Sequence, residues 1–181
     1  MFHNRFIVST WVGVLACAVS LAPSFGLAEL APEGTLAPNF TLPSQEDKPV
    51  SLSEFKGKWV VLYFYPKDQS SGCTLEAHNF QRDLSRFEAA NAVVLGVSLD
   101  TVESHKAFCT KDSLSFKLLA DPDHKAIDEY GVPIGTYGSL HYAERTTFLI
   151  SPQGKIVKVW KVDSIPSHSA EVLAAIESMK N

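Results

Sequence analysis

The segment Tyr63–Phe80, YFYPKDQSSGCTLEAHNF, holds the residues best suited to chemistry. Cys73 stands between an apolar run that reads as a buried strand and a stretch with helical periodicity. At a helix N-terminus the unpaired backbone N–H groups and the macrodipole favour an anion. A cysteine placed there becomes a thiolate more readily than a free thiol does, and the thiolate is the nucleophile. Gly72 lets the backbone approach closely. Ser70, three residues before the cysteine, can offer a hydroxyl across the turn. Pro66 ends the strand without an N–H and can wall one side of a pocket. A buried structural thiol is the other reading of Cys73, because free cysteine packs as a small hydrophobe.

The neighbouring elements must present that turn. Trp59–Tyr65 (WVVLYFY) is continuous in β-branched and aromatic residues, which indicates a strand buried on both faces. Cys73–Ala90 reads as a helix with Leu75, Ala77, Phe80, Leu84 and Phe87 on its apolar side and Glu76, Arg82, Asp83 and Arg86 mostly opposite. Ala92–Leu99 is a second buried strand, Val102–Lys111 a short helix, Phe116–Leu119 a short strand and His124–Tyr130 a helix stopped by Gly131. Arg145–Ile150 and Lys155–Val162 flank Ser151-Pro152-Gln153-Gly154 as a hairpin, and Ser169–Met179 closes the chain as a helix. Asn39–Leu42 and Pro49–Leu52 are extended around a polar turn. Alternating strands and helices followed by a hairpin predict a three-layer α/β domain.

The spacing Pro66, Ser70, Cys73 resembles the active-site signature of the peroxiredoxins: proline, three residues, Thr or Ser, two residues, cysteine. YFYPKD before it, Thr74-Leu75-Glu76-Ala77 after it and Leu119-Ala120-Asp121-Pro122-Asp123 later are similar to the Q, or bacterioferritin-comigratory, branch. The resemblance runs from Pro38 to the last helix. It implies a thioredoxin-like α/β/α fold with a central mixed sheet and an N-terminal β-hairpin. It also implies reduction of hydrogen peroxide or organic hydroperoxides at Cys73, passing through a sulfenic acid. No metal or other cofactor is implied, and a thioredoxin-like dithiol would recycle the enzyme. By position, Ser70 and the Cys73 N–H would donate to thiolate and peroxide. Arg145 would neutralise the developing charge, and Glu76 would anchor the loop or stand as a solvated first-turn charge.

Two departures from the branch matter. Ser70-Ser71-Gly72 replaces the Thr-Pro-Gly of many members, which keeps the hydroxyl and loosens the loop. His78 stands where many members carry a resolving cysteine, five residues after the first. Cys109, on the predicted helix Val102–Lys111, is the remaining candidate, because some members place the resolving thiol there. A one-cysteine peroxidase with a buried structural Cys109 is the variant. His78 reads as a surface bystander or a local proton donor. The other histidines after residue 28, His105, His124, His141 and His168, form no metal spacing and are expected at the surface. A thioredoxin-type disulfide oxidoreductase is a rival function, although Glu76 occupies the fourth position of a C-x-x-C pattern. A non-enzymatic redox sensor is another.

Composition narrows the classes. The 181 residues are 45% hydrophobic and 20% charged with a net charge of −4, so no basic footprint exists for nucleic acid or anionic lipid. Before Glu29 the one Lys, Arg, Asp or Glu is Arg5; an apolar run follows, and Gly26-Leu27-Ala28 supplies small residues. That pattern predicts a signal peptide over residues 1–28 and a domain over 29–181, secreted into a bacterial periplasm. Lipoprotein processing at Cys17 and an uncleaved anchor are the alternatives. After cleavage the cysteines are Cys73 and Cys109, and the acidic domain fits a monomer with no stable membrane association.

Overall fold

Each residue of Trp59–Phe64 (β3) is buried, and alternate side chains enter two different cores. That explains an apolar run without alternation. The computed structural model describes residue 1 and residues 29–180. The predicted leader, with Cys17, falls outside the described residues apart from Met1.

Among the described residues the first elements are a hairpin of Thr41–Pro43 (β1) and Pro49–Ser51 (β2), followed by a 3-10 turn at Leu52–Phe55. Helix Ser71–Ala89 (α1) leads to Ala92–Ser98 (β4), then Val102–Asp112 (α2), Lys117–Ala120 (β5) and Lys125–Glu129 (α3). A second hairpin pairs Ile134–Tyr137 (β6) with Leu140–Ala143 (β7). Thr146–Ile150 (β8), Ile156–Lys161 (β9) and Ile165–Met179 (α4) complete the chain. The central sheet has the order β5-β4-β3-β8-β9. β4 is parallel to both β3 and β5, while β8 is antiparallel to β3 and β9, so the sheet is mixed as expected.

One core holds Val61, Tyr63 and Tyr65 against Phe80 and Phe87 of α1, Phe108 of α2 and Val172, Leu173 and Ile176 of α4. The other places Val60, Leu62 and Phe64 against Ile127 of α3, nearby Tyr130 and the first hairpin. Helices thus cover both faces of a central sheet, the thioredoxin-like arrangement. Ahead of β1, residues 29–37 run beside the outer strand β9. Gly34 N–H donates to the Ile156 carbonyl (2.7 Å), Ile156 N–H to the Thr35 carbonyl (2.9 Å), and Val159 N–H to Glu33 Oε1 (2.9 Å).

Three expectations need correction. Leu75, assigned to the apolar side of α1, is 45% exposed, whereas Glu76 is 1% exposed and Asp83 is also buried. The inward stripe is Cys73, Glu76, Ala77, Phe80, Asp83 and Phe87, a helical spacing that includes two carboxylates. The β6–β7 hairpin was not expected. Its strands have four residues each and are largely exposed, so they carry no apolar run; the signal was the two-residue Gly138-Ser139 turn. His105 and His168 are buried. Each has a polar partner distant in sequence, Asp68 and Thr147 respectively. Among the described residues no helix is long and apolar enough to cross a membrane.

Candidate active site

β3 delivers the turn that carries Cys73. Tyr65 N–H makes a last bond to the Val97 carbonyl (3.1 Å), and Pro66 then leaves the sheet half-buried and without a donor. The loop passes through Gln69 in the left-handed region (φ 57°) and reaches Ser70 in extended conformation as the N-cap of α1. The Ser70 hydroxyl does not cap the helix; it donates to the Lys67 carbonyl (3.0 Å). The first turn of α1, which carries Cys73, therefore has no side-chain cap on its N–H groups. Cys73 sits in this turn, 2% exposed.

β8 delivers the cation. Thr146 lies opposite Phe64 in the antiparallel register, so Arg145, one residue earlier, is carried to the same sheet edge as the loop after β3. Arg145 Nη2 donates to Cys73 Sγ (3.3 Å), and Nη1 donates to Glu76 Oε2. Glu76 follows Cys73 by three residues, hence shares its face of α1. A Cβ at Gly72 would lie 3.4 Å from Arg145 Nη2 and 3.3 Å from Ile165 Cδ1. The tighter of these approaches is to Ile165, and the guanidinium packs against the turn at contact distance.

Electrostatics follow from this packing. Burial pushes the Glu76 carboxyl up to about 7, with the Arg145 charge and hydrogen bond pulling the other way. Burial works against the Arg145 charge, but Glu76 and Cys73 together hold it above its ordinary value. The guanidinium and the helix terminus set positive charge around one sulfur, the surroundings in which a thiolate acts as a nucleophile.

Cys109 lies on α2, buried in the same apolar cluster as Cys73, and both thiols are free. Burial, with Asp68 adding to it, pushes the Cys109 thiol up to about 12, so at neutral pH it carries its proton. The structure brings together Cys73, Arg145 and Glu76, with Ser70 and Pro66 on the approaching loop. Glu76 is the buried partner of Arg145 and not a solvated charge. His78 is exposed and bonds Asp112 of α2 through Nε2 (3.1 Å). Sequence reasoning missed a buried polar node at the loop: Tyr65 hydroxyl, Asp68, Ser104 and His105. Asp68 within the PKD of the reactive segment was the one available signal.

Fold and site define a thioredoxin-like protein with a thiol in the first turn of a helix. A model of the AhpC/TSA family matches residues 34–159. The chain is 43% identical over 149 residues to a chloroplastic peroxiredoxin Q of Sedum lineare, covering 82% of this chain and 79% of the relative. It is 39% identical over 149 residues to peroxiredoxin Bcp of Bacillus subtilis, covering 81% and 95%. A solved structure of Xanthomonas campestris peroxiredoxin Q superposes with a TM-score of 0.73 at 36% identity, covering 78% of this chain and 92% of that one. The chain belongs to the AhpC/TSA family of thiol peroxidases, as a peroxiredoxin of the Q or Bcp type.

Proposed function

We propose that this enzyme reduces hydrogen peroxide and organic hydroperoxides at Cys73 and closes each cycle with Cys109. The supporting observation is Arg145 at 3.3 Å from Cys73 Sγ, on the first turn of α1. The Cys73 thiolate attacks the terminal peroxide oxygen. The S–O bond forms as the O–O bond breaks, and the other oxygen leaves as alkoxide or hydroxide and takes a proton from solvent. Arg145 and the first-turn N–H groups stabilise the charge on the departing oxygen, and Ser70 supplies a hydroxyl once it turns from the Lys67 carbonyl. Cys73 is then a sulfenic acid. The Cys109 thiol attacks that sulfur, an S–S bond replaces the S–O bond, and water departs with the thiol proton. A thioredoxin-like dithiol returns both sulfurs to thiols, itself becoming a disulfide. The protein acts as a monomer exported to the periplasm, with the first 28 residues removed.

Peptide mapping after one equivalent of peroxide tests the assignment. The expected product is a Cys73–Cys109 disulfide in a chain beginning near Glu29, absent from Cys73→Ser. Cys109→Ser should stop at the Cys73 sulfenic acid. Turnover by Cys73→Ser overturns the nucleophile, and a mixed disulfide at Cys73 in the native chain makes it a one-cysteine enzyme.

A further inference from the structure

We propose that Asp68 and His105 form a clasp that sets how fast Cys109 reaches Cys73, so that His105 is a positioning residue for disulfide closure; this rests on the resolving role given to Cys109. Asp68 lies five residues before Cys73, in the loop entering α1. His105 lies four residues before Cys109, so both project from one side of α2. The clasp therefore joins the segments that carry the two sulfurs.

Asp68, His105 and Tyr65 are buried, and Ser104 is half-buried beside them. His105 Nδ1 meets Asp68 Oδ2 at 2.8 Å, the Ser104 hydroxyl donates to the same oxygen at 2.7 Å, and the Tyr65 hydroxyl donates to Asp68 Oδ1 at 2.7 Å. Asp68 N–H donates to Asp100 Oδ2 (2.9 Å), an oxygen that also accepts from the Ser98 hydroxyl (2.7 Å). His105 is 0% exposed. Its Nε2 is buried without a hydrogen-bond partner among the described residues, so the polar attachment of the ring runs through Nδ1. An ionised carboxylate only accepts, so the Nδ1 proton belongs to the bond with Asp68.

Both cysteines are buried and unpaired in this arrangement. Closure that moves the loop before Cys73 or α2 from its docked position pulls Asp68 and His105 apart. Charge-assisted bonds in a dry site are the costly ones to break. A tether between Lys111 Nζ and Gln69 Oε1 (3.3 Å) also links α2 to the loop but is exposed. The clasp therefore holds the peroxide-reactive state together, so that closure after the sulfenic acid has formed waits on its opening.

The test compares His105→Leu, which keeps bulk but loses the donor, with His105→Asn, which keeps a donor near the Nδ1 position but loses bulk. Rapid quenching of the reduced full chain after peroxide, followed by mass spectrometry, times oxidation of Cys73 and disulfide closure separately. Oxidation should stay within about twofold of the native rate in both variants. Closure should accelerate about tenfold in His105→Leu, the scale of one lost charged hydrogen bond, and stay near native in His105→Asn. Amide exchange across Val102–Asp112 should quicken in His105→Leu alone. Native closure in His105→Leu, or equal acceleration in both variants, overturns the clasp. If the native chain forms no Cys73–Cys109 bond, the resolving role fails, and the clasp is then judged by exchange: an unchanged α2 refutes it. Should His105→Leu not fold, Ser104→Ala serves with the same readouts, expected to be faster than native.

Discussion

Arg145 holds Cys73 with one nitrogen and Glu76 with another, so its orientation is fixed from two sides. The planar fork of arginine suits that double duty, and a lysine ammonium could not span both partners in the same way. Arg145→Ala should lower the second-order rate of Cys73 oxidation on the order of a hundredfold, the scale of removing one preorganised charge-stabilising donor. Stopped-flow oxidation of the reduced protein measures this, and a native rate would take Arg145 out of the chemistry. The candidate residues Cys73, Pro66 and Ser70 could be read locally, because their spacing lies within one segment. Arg145 could be singled out only by resemblance. It is 72 residues from Cys73, and the register of β8 on β3 that brings it near is not written in either segment.

The start of α1 sets element order against catalytic geometry. Gly72 weakens the first turn as a helix former, yet it makes room for the guanidinium. Gly72→Ala should raise stability by up to ~1 kcal/mol. It should also lower Cys73 oxidation by up to about tenfold, because the added methyl would press on Ile165 Cδ1 at 3.3 Å and stand against Arg145 Nη2 at 3.4 Å, where small misplacements of the guanidinium are costly. Paired denaturation and stopped-flow measurements check both signs, and an unchanged oxidation rate would mean that the contact is slack. The long apolar strands β3 and β4 could be read because burial on both faces leaves a continuous run. The inward side of α1 was misread because burial was judged by residue type. Spacing places Glu76 inward, and only the partner arriving on β8 makes a carboxylate tolerable there. The same applies to His105 and His168, which are stabilised inside by Asp68 and Thr147 from other elements.

Across the whole molecule, two buried groups oppose each other on acidification. Burial lowers His168 to about 4, so between roughly pH 4 and 6.5 the unfolded chain binds the proton first and stability falls as pH drops. Glu76 at about 7 acts in the other sense: the folded chain binds its proton first, and stability rises as pH drops from 7 towards 4.5. The native unfolding midpoint in urea should therefore vary little between about pH 6.5 and 4.5. His168→Gln should gain stability over that interval and Glu76→Gln should lose it, each by up to about 3 kcal/mol. Parallel profiles for the three proteins would show that neither group governs the balance. The strip formed by residues 29–37 acts on a different property. It occupies the outer flank of β9 with its own backbone bonds, so the last strand of the sheet does not offer a bare ladder. Proteolytic trimming past Ala37 would uncover that ladder, and a second copy could add a strand to it. Self-association on storage would then report damage at a site remote from either sulfur.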